Sequence, residues 1–264
     1  MRAVRAAETA PTLHPWLVHA KELRVRAGRH LAVDGLDLTL TAGVHGVLGP
    51  NGAGKTTLMR ALSTVVKPVG GSLTLLGAQV DGRADLREVR RELGYLPQQF
   101  GFYPRFTVRE FVAYMAWLKE MPKTAIPDAV QRAIDRVGLT PKADAKMKTL
   151  SGGMQRRAGI AQAIVNDPEL LLLDEPTVGL DPEQRLDFRD LLRDLGADSC
   201  VLVSTHLVED VVAACTDVIL MNEGRLLFQG TPDDLIARGG QGDAGDSPAE
   251  RGYSALLRQH RSNA

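Results

Sequence analysis

A glycine-rich run directly after an apolar strand is the feature that most restricts the fold of this chain. The strand is predicted over Val44–Leu48, and a helical pattern begins near Lys55. The glycines let consecutive backbone N–H groups turn toward one anion, and the helix N-terminus adds its positive end at the same point. The spacing therefore predicts a phosphate-binding loop, which consists of Gly49, Pro50, Asn51, Gly52, Ala53, Gly54, Lys55, Thr56 and Thr57.

Two side chains of this loop have specific expected roles. Lys55 should reach the β- and γ-phosphates of a nucleotide, and the Thr56 hydroxyl should hold Mg²⁺. The alternative is a glycine turn that only links a strand to a helix. It is disfavoured because the strand, the loop and the helix all fall where the phosphate-binding motif requires them.

Five further segments follow the loop in the chain. They are Tyr95–Gln98, Leu150–Gln155, the strand Leu170–Leu173 with Asp174 and Glu175 after it, Gly179–Asp181, and Ser204–His206. Together with the phosphate loop, they resemble the nucleotide-binding domain of ATP-binding cassette (ABC) proteins, from about Leu17 to about Leu235. The resemblance implies that the chain binds ATP and Mg²⁺ and hydrolyses ATP to ADP and phosphate.

Two adjacent carboxylates end the apolar strand Leu170–Leu173. Asp174 would lie at the carboxyl edge of the sheet beside the phosphate loop, where it can hold Mg²⁺ through water. Glu175 turns the other way, so it can approach the γ-phosphate and polarise an attacking water as general base. A solvated loop or an anion at a helix N-terminus is the alternative, and the four leucines before the pair argue against it.

His206 and Gln98 take their roles from the resemblance. It implies that His206 contacts the γ-phosphate and the glutamate, so the catalytic set is Glu175, His206 and Gln98. The Gln98 amide can bind Mg²⁺ through its oxygen and donate to water, which completes a metal set of Thr56, Gln98 and Asp174. Taken alone, these two residues would be an ordinary histidine and an ordinary loop glutamine.

A second glycine-rich helix start in the chain predicts a second anion site, although the sequence has one phosphate loop. One nucleotide cannot easily use both. The resemblance implies a head-to-tail homodimer, in which this segment of one subunit closes over the γ-phosphate held by the other and hydrolysis loosens the pair. Ser151 would also serve as a helix N-cap. The residues assigned to the contact between subunits are Ser151, Gly152, Gly153, Gln155 and Asp181.

The position where the family has an aromatic that stacks on adenine is occupied by Ala27 or a close neighbour. Arg26, Arg29 and His30 surround it. A guanidinium plane can stack on a base, so arginine could hold the base here, and GTP use stays open. A solvated basic loop is the alternative.

Composition narrows the class of protein. The chain has 32 basic and 32 acidic residues, and this balance argues against a broad nucleic-acid footprint, so no nucleic-acid partner is expected. Cys200 and Cys215 fit reduced thiols better than a disulfide framework. No apolar stretch approaches the ~20 residues of a membrane span, and residues 1–15 lack the apolar middle of a signal peptide. We therefore expect a cytoplasmic protein.

Strands and helical patterns alternate along the chain, which predicts an α/β fold with parallel core strands. The resemblance implies a P-loop ABC cassette: a RecA-like mixed sheet core, an N-terminal antiparallel β subdomain and a helical subdomain over about residues 99–150. We expect an N-terminal extension over 1–15, the ATPase domain over 16–238, and a tail over 239–264. The tail would be a mobile linker from Gly239 to Glu250, followed by a short helix over Tyr253–His260.

The segment Gly94–Pro104, followed by Thr107–Phe111, is similar to the ATPase subunits of bacterial export systems. In such systems the segment after the glutamine receives the coupling helix of a separate integral membrane permease. The resemblance implies a subunit that drives export and is peripheral on the inner face of the cell membrane. Export is favoured over import because no sizeable regulatory domain follows the cassette.

Two other functions remain open from the sequence. One is a soluble ABC ATPase in a role such as iron–sulfur cluster assembly. The other is a P-loop kinase or GTPase, which leaves Ser151–Gln155 unexplained. An aromatic-rich helix face with Phe111, Tyr114, Met115 and Trp117 fits both ordinary packing and a partner site.

Overall fold

The computed structural model describes residues 17–80 and 85–263, so the expected extension over 1–15 lies outside the described residues. The strands are β1 (Val18–Ala27), β2 (His30–Leu40), β3 (Gly43–Leu48), β4 (Gly70–Leu75), β5 (Ala78–Gln79), β6 (Leu93–Leu96), β7 (Leu170–Asp174), β8 (Cys200–Ser204), β9 (Asp217–Asn222) and β10 (Arg225–Gly230). The α-helices are α1 (Lys55–Leu62), α2 (Arg87–Arg91), α3 (Val108–Leu118), α4 (Ile126–Arg136), α5 (Gly152–Ile164), α6 (Pro182–Gly196), α7 (Val208–Ala214), α8 (Pro232–Ala237) and α9 (Pro248–Asn263).

A mixed sheet in the order β10-β9-β3-β8-β7-β6 forms the centre of the fold. Its neighbouring strands are parallel, except β9 and β10, which form a hairpin. Strands β7 and β8 are buried along their whole length, as expected for parallel strands covered on both faces. Because β3, β6, β7 and β8 run the same way, the segments that follow them meet at one edge of the sheet. The predicted α/β core is confirmed.

A second, antiparallel sheet in the order β2-β1-β4-β5 packs over α1. Leu23 and Leu36 of this sheet share a buried cluster with Leu58 and Met59 of α1. Strand β2 begins at His30 and continues through Asp34 and Gly35 to Leu40. An Asp-Gly pair is typical of a turn, but here the pairing of β1 with β2 accommodates it through register shifts.

Helices α3, α4 and α5 pack together and form the predicted helical subdomain. Helix α3 buries Val108, Phe111 and Val112 on one face. Thr107 begins it with a capping box to Glu110. Over residues 17–80 and 85–263, we find no helix with the length and apolarity needed to cross a membrane.

The C-terminal tail differs from the prediction. The last helix, α9, begins at Pro248, inside the segment predicted to be a mobile linker, and it packs against α7, α8 and β10. The physical reason is a capping box: the Ser247 hydroxyl accepts from the Glu250 N–H (3.1 Å), and the Glu250 carboxylate accepts from the Ser247 N–H (3.3 Å). Leu256 and Leu257 then bury the apolar face of the helix.

The two cysteines are free thiols, Cys200 in β8 and Cys215 directly after α7. Burial raises the pKa of each thiol to about 12. A thiol that stays protonated is a poor nucleophile, so both act as packing residues.

Candidate active site

The phosphate loop joins β3 to α1. Gly54 caps α1 with φ +102°, and a Cβ there would meet the Ala32 carbonyl oxygen at 2.2 Å, so the position requires glycine. Lys55 is 7% exposed, and its Nζ donates to the carbonyls of Gly49 (2.6 Å) and Pro50 (3.2 Å). The lysine side chain therefore folds back over the loop that it follows. Burial lowers the pKa of Lys55, and the nearby carboxylates oppose this effect.

Asp174 lies at the end of β7 and is fully buried. Its Oδ1 accepts hydrogen bonds from the hydroxyls of Ser204 (2.5 Å) and Thr56 (3.4 Å). Its Oδ2 is buried, and none of the described residues donates to it. A buried carboxylate oxygen is costly without a partner. The orphaned oxygen beside the Thr56 hydroxyl thus fits a hard divalent cation such as Mg²⁺.

Glu175 occupies an unusual backbone position between β7 and the following turn. Its φ is +50°, a left-handed conformation that a non-glycine residue adopts only when its surroundings hold it there. The Ser204 carbonyl and hydroxyl provide this restraint, because the Glu175 N–H donates to both at 3.1 Å. The carboxylate is turned toward His206, whose Nδ1 lies 3.0 Å from Glu175 Oε2. The His206 side chain is 56% exposed.

Arg156 is a residue at this site that the sequence analysis missed. It lies on α5 and is 6% exposed. Its guanidinium donates to the carbonyls of Pro97, Gln98, Pro176, Asp174 and Glu175. One side chain thus fixes the loop after β6 and the loop after β7 relative to each other. Burial lowers the pKa of Arg156 to about 10, and it remains a cation at neutral pH.

Gln98 and the arginine-rich turn lie at the surface. Gln98 follows β6 with an exposed side chain, while its carbonyl accepts from Arg156 (3.1 Å). Arg26, Ala27 and Arg29 are exposed at the β1–β2 turn. Both arginines are therefore accessible to a base at this turn.

The serine–glycine segment and Asp181 form a second group. Ser151 caps α5 by accepting from the Met154 N–H (3.3 Å), and Asp181 caps α6 by accepting from the Gln184 N–H (2.8 Å). The two helix starts are adjacent, because a Cβ on Gly153 would meet Gln184 Oε1 at 2.8 Å and the Gly179 carbonyl at 3.2 Å. The structure thus brings together two of the predicted segments, with Ser151, Gly152 and Asp181 exposed.

Gln155 is oriented inward, toward its own subunit. Its Nε2 donates to the carbonyls of Met147 and Leu150, both at 3.3 Å. The amide therefore supports the loop that precedes α5, in addition to any contact that its oxygen makes.

Comparison with known proteins decides the family. Residues 33–178, more than half of the chain, match the model of the family described as ABC transporter. The chain belongs to the ABC transporter family. The cassette is also similar to the Nod factor export ATP-binding protein I of Burkholderia lata, with 40% identity over 218 residues that cover 82% of this chain and 71% of that protein.

Solved structures agree with the predicted cassette fold. An ATP-binding subunit of an ABC transporter has a TM-score of 0.79 at 21% identity, covering 91% of this cassette and 99% of that chain. CbiO1 of Clostridium perfringens, part of the ABC transporter complex CbiONQ, has a TM-score of 0.74 at 28% identity, covering 85% and 92%. The chain thus has the ABC cassette fold that the sequence predicted.

Proposed function

We propose that the cassette hydrolyses Mg·ATP between two copies of itself and thereby drives export through a separate membrane permease. The observation that carries this proposal is the contact between His206 and Glu175, at the sheet edge that also holds Asp174 and the phosphate loop. A buried glutamate with a histidine at 3.0 Å is suited to accept a proton from water. The export direction is supported by the 40% identity to a Nod factor export ATP-binding protein.

The residues of the site have separate roles in this mechanism. Lys55 would exchange the carbonyls of Gly49 and Pro50 for phosphate oxygens, which are stronger, charged acceptors. Glu175 would orient and deprotonate the attacking water, and His206 would hold the Glu175 carboxylate and reach the γ-phosphate. Bound Mg²⁺, held by Thr56, by Asp174 through water and by Gln98, would neutralise charge on the phosphates.

The second copy would supply the other face of the nucleotide. Ser151, Gly152 and Asp181 are exposed at two adjacent helix N-termini, and a helix N-terminus favours an anion. Gly153 keeps the two helix starts in contact. In a head-to-tail pair, these groups would contact the γ-phosphate bound by the other subunit, so that hydrolysis weakens the pair.

The permease would dock beside the Gln98 loop, on the inner face of the cell membrane. An exposed apolar surface, here called the aromatic surface, lies beside this loop. It consists of Tyr103, Trp117 and Leu118, whose exposed fractions are 53%, 57% and 49%. Tyr114 lies beneath it, with its ring centroid 5.6 Å from Tyr103 and 5.9 Å from Trp117. Exposed aromatic groups over a packed base are typical of protein interfaces.

ATP-dependent pairing can be tested with Glu175→Gln, which should slow turnover by about 10²–10⁴-fold and leave ATP binding intact. In sedimentation velocity with saturating Mg·ATP, this variant should form a dimer. Adding Ser151→Arg should give monomers that still bind ATP, whereas adding Thr41→Arg, at an exposed residue between β2 and β3, should leave the dimer unchanged. Unchanged turnover in Glu175→Gln would remove Glu175 as the base, and dimers in both double variants would contradict the head-to-tail arrangement.

Permease docking can be tested by co-purification from membranes. The tagged cassette should retain a protein with several membrane spans, and Trp117→Ala should reduce the amount retained. Val65→Ala is the control, since Val65 is exposed to a similar extent (58%) but lies after α1, outside the aromatic surface. Equal retention by both variants would contradict docking at this surface. Absence of any multi-span protein would favour a role outside transport.

A further inference from the structure

The C-terminal helix α9 packs against the helix that follows His206. Leu256 and Leu257 of α9 share one buried cluster with Val208 and Val211 of α7. Helix α7 begins at Val208, two residues after His206 in the chain. Since so short a connection cannot absorb a large displacement, the position of α7 sets the position of His206.

A polar contact also ties the start of α9 to the first turn of α7. The Ser247 hydroxyl donates to the Glu209 carboxylate, and it accepts from the Glu250 N–H (3.1 Å). Folding of α9 and docking on α7 are therefore coupled, because the same hydroxyl serves both.

Helix α7 depends on its neighbours for its placement. It has seven residues, and a helix of this length is unstable in water without packing partners. On one side, Arg189 of α6 pairs with Asp210 at 2.6 Å. A second side faces β3, where a Cβ on Gly46 would meet Val211 at 2.4 Å. Helix α9 packs against a further apolar side, formed by Val208 and Val211.

Helices α9 and α8 approach each other very closely at Gly252. A Cβ on Gly252 would meet the Leu235 carbonyl oxygen of α8 at 1.9 Å, so a larger residue there must separate the two helices. Gly252 is on α9, and its close neighbours belong to α8 rather than to α7 or to the nucleotide site. It therefore offers a way to displace α9 without altering the groups that contact ATP.

We propose that α9 positions His206 against Glu175 by holding α7, so that the C-terminal segment controls the rate of hydrolysis. This inference rests on the proposed function, in which His206 acts with Glu175. Ala53 of the phosphate loop lies in a different buried cluster, which it shares with α1 and the antiparallel sheet. Displacement of α9 should therefore lower kcat and leave the affinity for ATP unchanged.

The test compares Gly252→Val with Gly242→Val in the full chain. A Cβ on Gly242 would meet nothing within 4 Å, so this glycine is the matched control. We expect Gly252→Val to accelerate hydrogen exchange of residues 248–263 and 208–214, and to lower kcat about tenfold or more with KM for ATP unchanged. Gly242→Val should change none of these quantities. Unchanged exchange in Gly252→Val would refute the close approach of α9 to α8 and with it the proposal.

A double-mutant cycle with His206→Ala tests whether α9 affects kcat through His206. If α9 acts through His206, Gly252→Val should cause no further loss of kcat in the His206→Ala background. An equal loss in both backgrounds would show general destabilisation and overturn the inference. If His206→Ala lowers kcat but Gly252→Val does not, the inference alone fails; if His206→Ala has no effect, the role of His206 in the proposed function fails.

A second pair of variants covers the possibility that Gly252→Val does not fold. Ser247→Ala removes the hydroxyl that contacts Glu209, and Ser262→Ala removes a hydroxyl that donates within α9, to the Arg258 carbonyl. Ser247→Ala should lower kcat and accelerate exchange over residues 208–214, whereas Ser262→Ala should not. The same response in both serine variants would contradict the proposal.

Discussion

Replacing Arg156 by methionine removes a buried guanidinium and keeps a side chain of similar length. The guanidinium donates to five backbone carbonyls, and each bond from a charged donor contributes about 1.5–3 kcal/mol. Burial lowers the pKa of Arg156 from its ordinary value of 12.5 to about 10, so removing the charge recovers about 3 kcal/mol. We take about 1.5 kcal/mol for each of the five hydrogen bonds and subtract the recovered cost of burying the charge. The free energy of unfolding should then fall by about 4 kcal/mol.

The adjacent residue provides a matched control. Arg157 is also on α5, but its partner at 3.2 Å, Asp187, has a side chain that is 68% exposed. Such a pair contributes at most about 1 kcal/mol. In urea unfolding near neutral pH, Arg156→Met should lose about 3 kcal/mol more stability than Arg157→Met. In thermal unfolding this corresponds to a difference of about 10 °C.

A conservative variant and the turnover rate separate stability from function. In Arg156→Lys the ammonium has three donors for five acceptors, so its stability should lie between that of the wild type and that of Arg156→Met. Both variants should lower kcat at temperatures where they are folded, because the loops of Gln98 and Glu175 lose their shared restraint. Equal stability of Arg156→Met and Arg157→Met would refute this interpretation of the hydrogen bonds.

Two further predictions concern lysines. Lys55→Ala should weaken binding of Mg·ATP about a hundredfold, because a charged donor to the phosphates is lost; titration calorimetry that still detects tight binding would contradict the role of Lys55. Burial lowers the pKa of Lys119 from its ordinary value of 10.5 to about 8, so between these values the unfolded chain binds more protons than the folded one and the folded state gains stability as pH rises. Urea unfolding from pH 8 to pH 10 should show a smaller gain in Lys119→Met than in the wild type; equal gains would refute this.

The sequence predicted those parts of the site whose geometry depends on residues close to each other in the chain. A phosphate loop needs glycines between one strand and one helix, so Gly49–Thr57 contains its own structural requirements. Asp174 and Glu175 could be placed because buried parallel strands end at a common edge. The contact of Glu175 with His206 needed the family resemblance, because 31 residues separate the two in the chain.

The position of α9 was harder to predict, although a local signal was present. Ser247 and Glu250 have the spacing of a capping box, and a proline follows the serine. The glycines and aspartates of residues 239–246 suggested a linker that continues past this start. The surface of α8 against which α9 packs cannot be recognised from the sequence. Gly252 is needed because the Leu235 carbonyl lies against it, and this close approach exists only after α8 and α9 have folded.

Arg156 shows most clearly what a single sequence cannot supply. Residues 156 and 157 are both arginines on one helix, and helical periodicity should distinguish a buried from an exposed position. On α5 it does not, because the helix is buried on most of its circumference and its apolar residues define no single face. The burial of Arg156 is decided instead by carbonyl groups, which carry no side-chain signal, from two loops about 20 and 59 residues away in the chain. Those carbonyls converge only at the edge where β6 and β7 end side by side, so the choice between the two arginines follows from the strand order and not from any pattern within α5.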